Sequence, residues 1–158
     1  MAKQLKLPAF DPAGLAAISG TSYPSPYREK LAGRTKRKLG DAAGLTQFGV
    51  NLTVLPPGAY SSMRHWHKTE DEFVYVLSGE LTLITDAGEQ TLKAGDACGF
   101  PAGKADGHHM INRSKSPATY LEVGTRVKTD AVDYPDIDMR GVNDGADWKF
   151  THKDGKPY

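Results

Sequence analysis

Two short clusters contain four of the five histidines of this chain, and a carboxylate follows the first cluster. His65 and His67 lie two residues apart, and Glu72 comes five positions after the second imidazole. If this segment is a β-strand, both imidazoles point to the same face, because side chains alternate between the two faces of a sheet. Imidazole and carboxylate groups are common ligands of transition metals, so the cluster predicts three corners of one metal site.

The second cluster offers a fourth ligand roughly forty residues further along the chain. It contains His108 and His109, and either imidazole could complete the site. On a strand, His108 would share a face with Met110 and Asn112, whereas His109 would point away from that face. The alternation therefore favours His108 as the ligand.

Three consecutive acidic residues compete for the carboxylate position, namely Glu70, Asp71 and Glu72. All three could instead form one solvated acidic turn. Glu72 is favoured because it begins an apolar run over residues 73–77, where a carboxylate without a cation would be costly to bury.

The histidine clusters lie within a series of short strands that has almost no helical pattern. Alternating, β-branched and aromatic stretches predict strands over residues 48–54, 73–77, 81–85, 90–92, 97–100, 108–112 and 118–123. Such a series predicts a β-sandwich or a β-barrel. A chain of 158 residues fits one domain, and its 17 glycines and 10 prolines suit a loop-rich β fold.

The strand series divides the chain into three parts. We expect residues 1–34 to form an N-terminal arm, residues 35–125 to form the barrel, and residues 126–158 to form a C-terminal extension that packs on the barrel. The extension carries Tyr134, Trp148 and Phe150, which need a surface to cover. We also expect a homodimer in which the arm covers the barrel of the partner.

Composition narrows the choice of partners. A net charge of +1 argues against a nucleic-acid binder. The basic run over residues 34–38 is interpreted as a solvated loop or strand edge, with recruitment of an anionic partner as the alternative.

The single cysteine, Cys98, excludes an internal disulfide and is interpreted as a buried, inert thiol. The chain shows no secretory signal and no apolar run of membrane-spanning length, so we expect no membrane partner and a cytoplasmic location.

Two segments resemble the paired motifs of the cupin superfamily. The first motif, which contains His-x-His followed by Glu, is matched by Gly58, His65, His67, Glu72 and Gly79. The second motif is matched by Gly95, Pro101, Gly103, His108 and Asn112. The spacer after Gly103 is longer than usual, and the His-x-x-x-Asn spacing selects His108 over its neighbour.

This resemblance implies a cupin-type jelly-roll β-barrel, also called a double-stranded β-helix. It implies a divalent transition metal held by His65, His67, Glu72 and His108. Three neutral imidazoles and one carboxylate suit iron, manganese, zinc, nickel or copper, and ligand type does not choose among these metals. One or two coordination positions would stay open for water or substrate.

The expected function is to bind a small polar metabolite at this metal or to act on it. An enzyme of this kind would be an isomerase, epimerase, decarboxylase or dioxygenase. The alternatives are a non-catalytic module that binds or senses a sugar-like molecule or an organic acid, and a metal that only stabilises the barrel. Fold alone does not decide, since one barrel carries many activities.

Other side chains near the motifs are candidates for contact with the ligand. We expect the cavity wall to include Tyr75, Met110 and Phe100. The side chains that could hold an anionic substrate group are Arg64, Lys104 and Arg113, although each is also a plausible surface charge.

Overall fold

Strands form nearly all of the regular structure, as the alternating sequence predicts. The computed structural model describes residues 5–145 and 147–158. In these residues the strands are β1 (Ile18–Ser19), β2 (Thr35–Lys38), β3 (Phe48–Leu55), β4 (Trp66–His67), β5 (Glu72–Ser78), β6 (Glu80–Thr85), β7 (Gly88–Lys93), β8 (Ala97–Phe100), β9 (His109–Ile111), β10 (Ala118–Thr125), β11 (Asp130–Tyr134), β12 (Met139–Asn143) and β13 (Trp148–Thr151). A short helix, α1 (Leu39–Ala42), and two 3-10 turns at Pro12–Gly14 and Tyr27–Leu31 accompany them. No helix in this described part of the chain is long and apolar enough to span a membrane.

Three antiparallel sheets contain these strands. A six-stranded sheet has the order β1-β2-β3-β10-β5-β8, a three-stranded sheet the order β7-β6-β9, and a four-stranded sheet the order β13-β12-β11-β4. Each of the seven strands expected from the sequence is present, and the bounds differ by two residues or fewer at either end. The prediction of an all-β jelly roll is therefore confirmed.

The main core lies between the six-stranded and three-stranded sheets. Leu55, Val76, Leu81 and Tyr120 are fully buried there, because each points inward from its strand. Burial of side chains of this size contributes about 1.5–3 kcal/mol each, which makes this layer the main source of stability for the barrel.

Strand β5 has one buried and one exposed face. Val74 and Val76 are buried, whereas Phe73, Tyr75 and Leu77 remain 45%, 39% and 43% exposed. The expectation that Tyr75 lines the cavity is wrong, because strand alternation turns it to the opposite side from Val74.

A second cluster joins the two ends of the chain. Tyr23 and Leu31 of the N-terminal segment pack with Val132, Tyr134 and Met139 of the C-terminal sheet. The hydroxyl of Tyr134 donates to that of Tyr23 at 3.2 Å. Tyr23 and Leu31 of the N-terminal segment thus pack against the C-terminal sheet of their own chain.

Gly79 makes the turn from β5 into β6 possible. Its φ is +80°, and a Cβ there would lie 2.8 Å from both Cα of Ala118 and the carbonyl oxygen of Pro117. Only glycine avoids this contact with the start of β10, which explains the glycine at this position of the first sequence motif.

Candidate metal centre

Two strands and one backbone bridge bring the predicted ligands together. His67 ends β4 and Glu72 begins β5. His65 and His108 form an isolated antiparallel bridge, in which each N–H donates to the other's carbonyl at 3.2 and 2.9 Å. Two segments that are distant in sequence are thereby held side by side.

Three imidazole nitrogens converge on one oxygen of Glu72. Its Oε2 lies 2.9 Å from Nε2 of His108, 3.6 Å from Nε2 of His67 and 3.7 Å from Nε2 of His65. Ligands bonded to one ion at about 2.1 Å stand roughly 3–3.5 Å apart, so these separations suit a shared metal. The chain therefore contains a His/His/Glu group that could hold a metal ion, with a third imidazole beside it.

The outer nitrogens of two of these rings have backbone acceptors. Nδ1 of His65 lies 2.9 Å from the carbonyl oxygen of Met63, and Nδ1 of His108 lies 3.1 Å from that of Asp106. A carbonyl oxygen can only accept, so each Nδ1 carries the proton. The neutral rings then direct the lone pair of Nε2 toward Glu72, as metal-binding imidazoles do.

For His67, the acceptor beside Nδ1 is the carboxylate of Asp130. Its carboxylate lies 2.5 Å from Nδ1 of His67 and accepts from the backbone N–H and the hydroxyl of Thr69, at 2.9 and 2.6 Å. The side chain is fully buried. Burial raises its pKa, but hydrogen bonds from Thr69 and His67 outweigh this effect and lower the pKa below its usual range. Sequence reasoning missed Asp130, because no local spacing connects it to the histidine.

The competing side chains have other partners. Nδ1 of His109 lies 3.1 Å from the carbonyl oxygen of Ser62. The carboxylate of Asp71 accepts from the backbone N–H of Ala102 at 2.7 Å. Neither group lies among the atoms that converge on Glu72, which is compatible with the choice made from strand alternation.

Burial and charge set the protonation of the centre. Burial lowers the pKa of His65 to about 4, so this ring is neutral at physiological pH. Burial raises the pKa of Glu72, but the hydrogen bond with His108 and the nearby imidazoles lower it to about 2. Since Nδ1 of His108 donates to a carbonyl, a cation between its Nε2 and the carboxylate of Glu72 would be favourable for both groups.

The centre opens into a cavity of about 810 Å³. Met110 and Phe100 contribute to its wall, as the sequence predicts. The ring of Phe100 stacks on His108 with centroids 3.5 Å apart. Gly124, which pairs with Glu72 across β10 and β5, contributes no side chain to the wall beside the carboxylate, whereas the guanidinium of Arg126 lies against Gly49.

The positive charges of the cavity differ from those expected. Arg64, Lys104 and Arg113 are absent from its wall, because each pairs with a carboxylate elsewhere. The cationic side chains that line it are Arg34, Lys36, Lys38 and Arg126. Three of these belong to the basic run of the sequence, whose alternate residues line the cavity, although the side chain of Lys38 remains 56% exposed.

Cys98 is unsuited to nucleophilic chemistry. Burial and the negative charge of Glu72 raise its pKa to about 11. The thiol therefore stays protonated at neutral pH, in agreement with the inert role expected from the sequence.

Comparison with known proteins identifies relatives of this arrangement. A family model described as "Cupin domain" matches residues 51–124. No curated protein sequence matches the chain.

Solved structures extend the similarity beyond the barrel. The chain is 46% identical to a sugar phosphate isomerase from the cupin superfamily of Silicibacter pomeroyi, over 96% of each chain and with a TM-score of 0.93. It is 34% identical to a candidate sugar phosphate isomerase from Acidithiobacillus ferrooxidans, over 79% of this chain and 80% of that one, with a TM-score of 0.73. A predicted oxalate decarboxylase from Thermotoga maritima shares the fold, at 21% identity over 75% of this chain and 99% of its own, with a TM-score of 0.59.

We predict that the metal-free protein loses stability as the pH falls from about 6.5 to 4. In this interval the unfolded chain protonates His65, whereas burial keeps the folded ring neutral until about pH 4. His109, whose pKa burial also lowers, adds to the same slope. Urea unfolding in buffer with chelator should show a decrease of roughly 1–3 kcal/mol. The decline should continue below pH 4.5, as the unfolded chain protonates Glu72 before the folded carboxylate does.

His65→Gln provides the matched comparison. It should remove a large part of the slope between pH 6.5 and 4 and leave the part due to His109. Equal slopes for the wild-type protein and this variant would contradict the assigned pKa of His65.

Proposed function

Since this chain belongs to the cupin superfamily, we propose that it is a metal-dependent isomerase of a small phosphorylated sugar. The observation that carries this proposal is the 46% identity to the sugar phosphate isomerase of Silicibacter pomeroyi over 96% of each chain. That similarity includes the segments before and after the barrel, which the family match over residues 51–124 does not.

We assign the metal to His65, His67, Glu72 and His108. The support for this assignment is the convergence of three Nε2 atoms on Oε2 of Glu72, within 2.9–3.7 Å. A divalent ion bound there would act as a Lewis acid on a carbonyl or enolate oxygen of the open-chain sugar. The donor set suits iron, manganese, zinc, nickel or copper.

The proposed reaction moves a proton between neighbouring carbon atoms, and the cavity wall contains groups for that transfer. Glu70 and Glu122 both line the cavity. Burial raises the pKa of Glu70, which helps its carboxyl hold a proton. Tyr23 also lines the cavity, and burial raises its pKa to about 12. Its hydroxyl therefore stays protonated and can donate to a substrate oxygen, because Tyr134 already serves it as a donor.

Metal content and isomerase activity test the proposal together. Protein purified without chelator should contain close to one divalent metal per chain by elemental analysis. It should interconvert an aldose phosphate and its ketose phosphate in a panel of pentose and hexose phosphates. His108→Ala and Glu72→Gln should lower metal affinity and turnover by more than about 100-fold, since loss of a ligand should exceed the cost of losing a supporting residue.

His109→Ala is the matched control and should retain both metal and activity. Full metal occupancy in His108→Ala and Glu72→Gln would refute the ligand assignment. Binding of a sugar phosphate without turnover in the metal-loaded protein would instead favour the non-catalytic binding module.

Asp130 should act as a positioning residue for the metal. Asp130→Asn replaces the acceptor of the Nδ1 proton of His67 by a neutral amide, so metal affinity should fall about 10–100-fold. Competition with a chromogenic chelator measures this change, and thermal unfolding checks the fold. Asp133→Asn, on the same strand but 3.8 Å from the exposed Arg140, should bind metal normally. Equal affinity in Asp130→Asn and the wild-type protein would remove Asp130 from the centre.

We also propose that the chain forms a homodimer through the outer face of the six-stranded sheet. Phe73, Tyr75 and Leu77 are exposed on this face, and cross-strand pairing places Val123 beside Phe73 and Leu121 beside Tyr75. A contiguous apolar face favours association, and a twofold axis would bring the same patch of two copies together. Light scattering should give the mass of two chains, and Tyr75→Glu should give one chain with its metal retained. A single-chain mass for the wild-type protein would rule out this dimer.

A further inference from the structure

The basic run of the sequence forms an inward-facing row of cations. Residues 34, 36 and 38 alternate with residues 35 and 37 along β2 and the residue before it, so their side chains share one face. Arg34, Lys36 and Lys38 all line the cavity of about 810 Å³ that contains the candidate metal centre, whereas Arg37 does not. The proposed isomerase function leaves this row without a role.

Arg34 is a half-buried cation without a carboxylate partner among the described residues. Its guanidinium donates to the carbonyl oxygens of Ser61 and, at 3.4 Å, Gly20. By contrast, Lys38 and Arg126, which also line the cavity, both pair with Asp41. A partly desolvated guanidinium with only carbonyl acceptors retains its full charge for an anion, and its planar fork suits a phosphate group.

Lys36 extends this positive region toward the metal centre. Its ammonium pairs with Glu122 of β10, which also accepts from the side-chain amide of Asn51 at 3.0 Å. An ammonium has three donors, so Lys36 can contact a second anion while it keeps Glu122. Its side chain is 30% exposed, which leaves it accessible from the cavity.

The spacing between Glu122, the ion-pair partner of Lys36, and Glu72 of the metal centre suits a short carbon chain. Glu72 pairs with Gly124, and Glu122 lies two residues before Gly124 on the same strand. A strand spacing of about 4.8 Å and a rise of about 3.4 Å per residue place the Cα atoms of Glu122 and Glu72 about 8 Å apart. Gly124 contributes no side chain to the wall between them, so a ligand can lie across this stretch.

We infer that Arg34 and Lys36 bind the phosphate group of the substrate, while its carbonyl end lies at the metal centre. The placement of the carbonyl end at the metal rests on the proposed isomerase function, whereas the binding of an anion by Arg34 and Lys36 does not. Arg34 would supply paired N–H donors, Lys36 would supply a point charge, and the phosphate would compensate the charge that Arg34 carries within the cavity wall. This arrangement selects phosphorylated over unphosphorylated sugars.

Phosphate binding to the metal-free protein tests the anion site alone. The probe is inorganic phosphate, titrated by calorimetry at constant ionic strength against sodium chloride. Arg34→Gln and Lys36→Met should each weaken binding about tenfold or more, whereas Arg37→Gln, an equal charge change on the opposite face, should stay within about twofold. Arg34→Lys should recover part of the affinity, because it restores the charge without the planar fork.

The fold and the neighbouring centre serve as controls. Thermal unfolding and metal affinity of Arg34→Gln should be close to those of the wild-type protein. This control is needed because the guanidinium of Arg34 contacts Ser61, near His65. Lys36 makes no hydrogen bond to the described segment that contains Ser61 and His65. If Arg34→Gln disturbs the fold, the effect of Lys36→Met on phosphate binding therefore still tests the anion site.

The metal-loaded enzyme then separates the two proposals. In Arg34→Gln the KM for the sugar phosphate should rise about tenfold with kcat nearly unchanged, since the phosphate is remote from the reacting carbons. Phosphate binding that depends on Arg34 and Lys36, without any turnover, would reject the isomerase function and keep the anion site. No phosphate binding by the wild-type protein, or equal binding by all variants, would reject the anion site whatever the activity.

Discussion

The centre of this molecule is organised around a carboxylate that three imidazoles approach from the same side. Glu72 is held at the start of β5, and the Nδ1 atoms of the surrounding histidines already donate to fixed oxygen acceptors. Their Nε2 lone pairs therefore face Oε2 of Glu72, and all of these atoms are electron-rich acceptors. Only a cation or a proton between them relieves the repulsion. This requirement links the strand register, the backbone bridge between His65 and His108, and the proposal that a metal ion is the cation.

The C-terminal sheet is part of the same arrangement. Strand β11 pairs with β4, so it aligns Asp130 with His67, and its last residue, Tyr134, stacks against His65 with centroids 5.8 Å apart. The segment after the barrel thus contacts two of the four proposed ligands, His65 and His67. Rings that are packed and hydrogen-bonded on their outer side lose little entropy when they bind an ion, which favours a preorganised site.

The six-stranded sheet separates two kinds of surface. Its inner face carries glycines, carboxylates and the cations of β2 around a polar cavity, whereas its outer face carries the large apolar side chains of β5 and β10. Period-two alternation makes this division possible within one layer of backbone. The proposed anion site and the proposed dimer therefore use opposite faces of the same strands, and changes on one face leave the other largely intact.

The sequence by itself determined the strand series, the shared face of His65 and His67, and the preference for Glu72, because each depends on alternation within a few residues. It also contained the alternating cations of residues 34–38, but not their direction, because a strand pattern does not say which face meets the cavity. The tertiary structure alone decided that Arg34 and Lys36 point inward, that Tyr75 points outward, and that Asp130 lies against His67. These three outcomes depend on how strands distant in sequence pair and stack, and local patterns carry no information about that pairing.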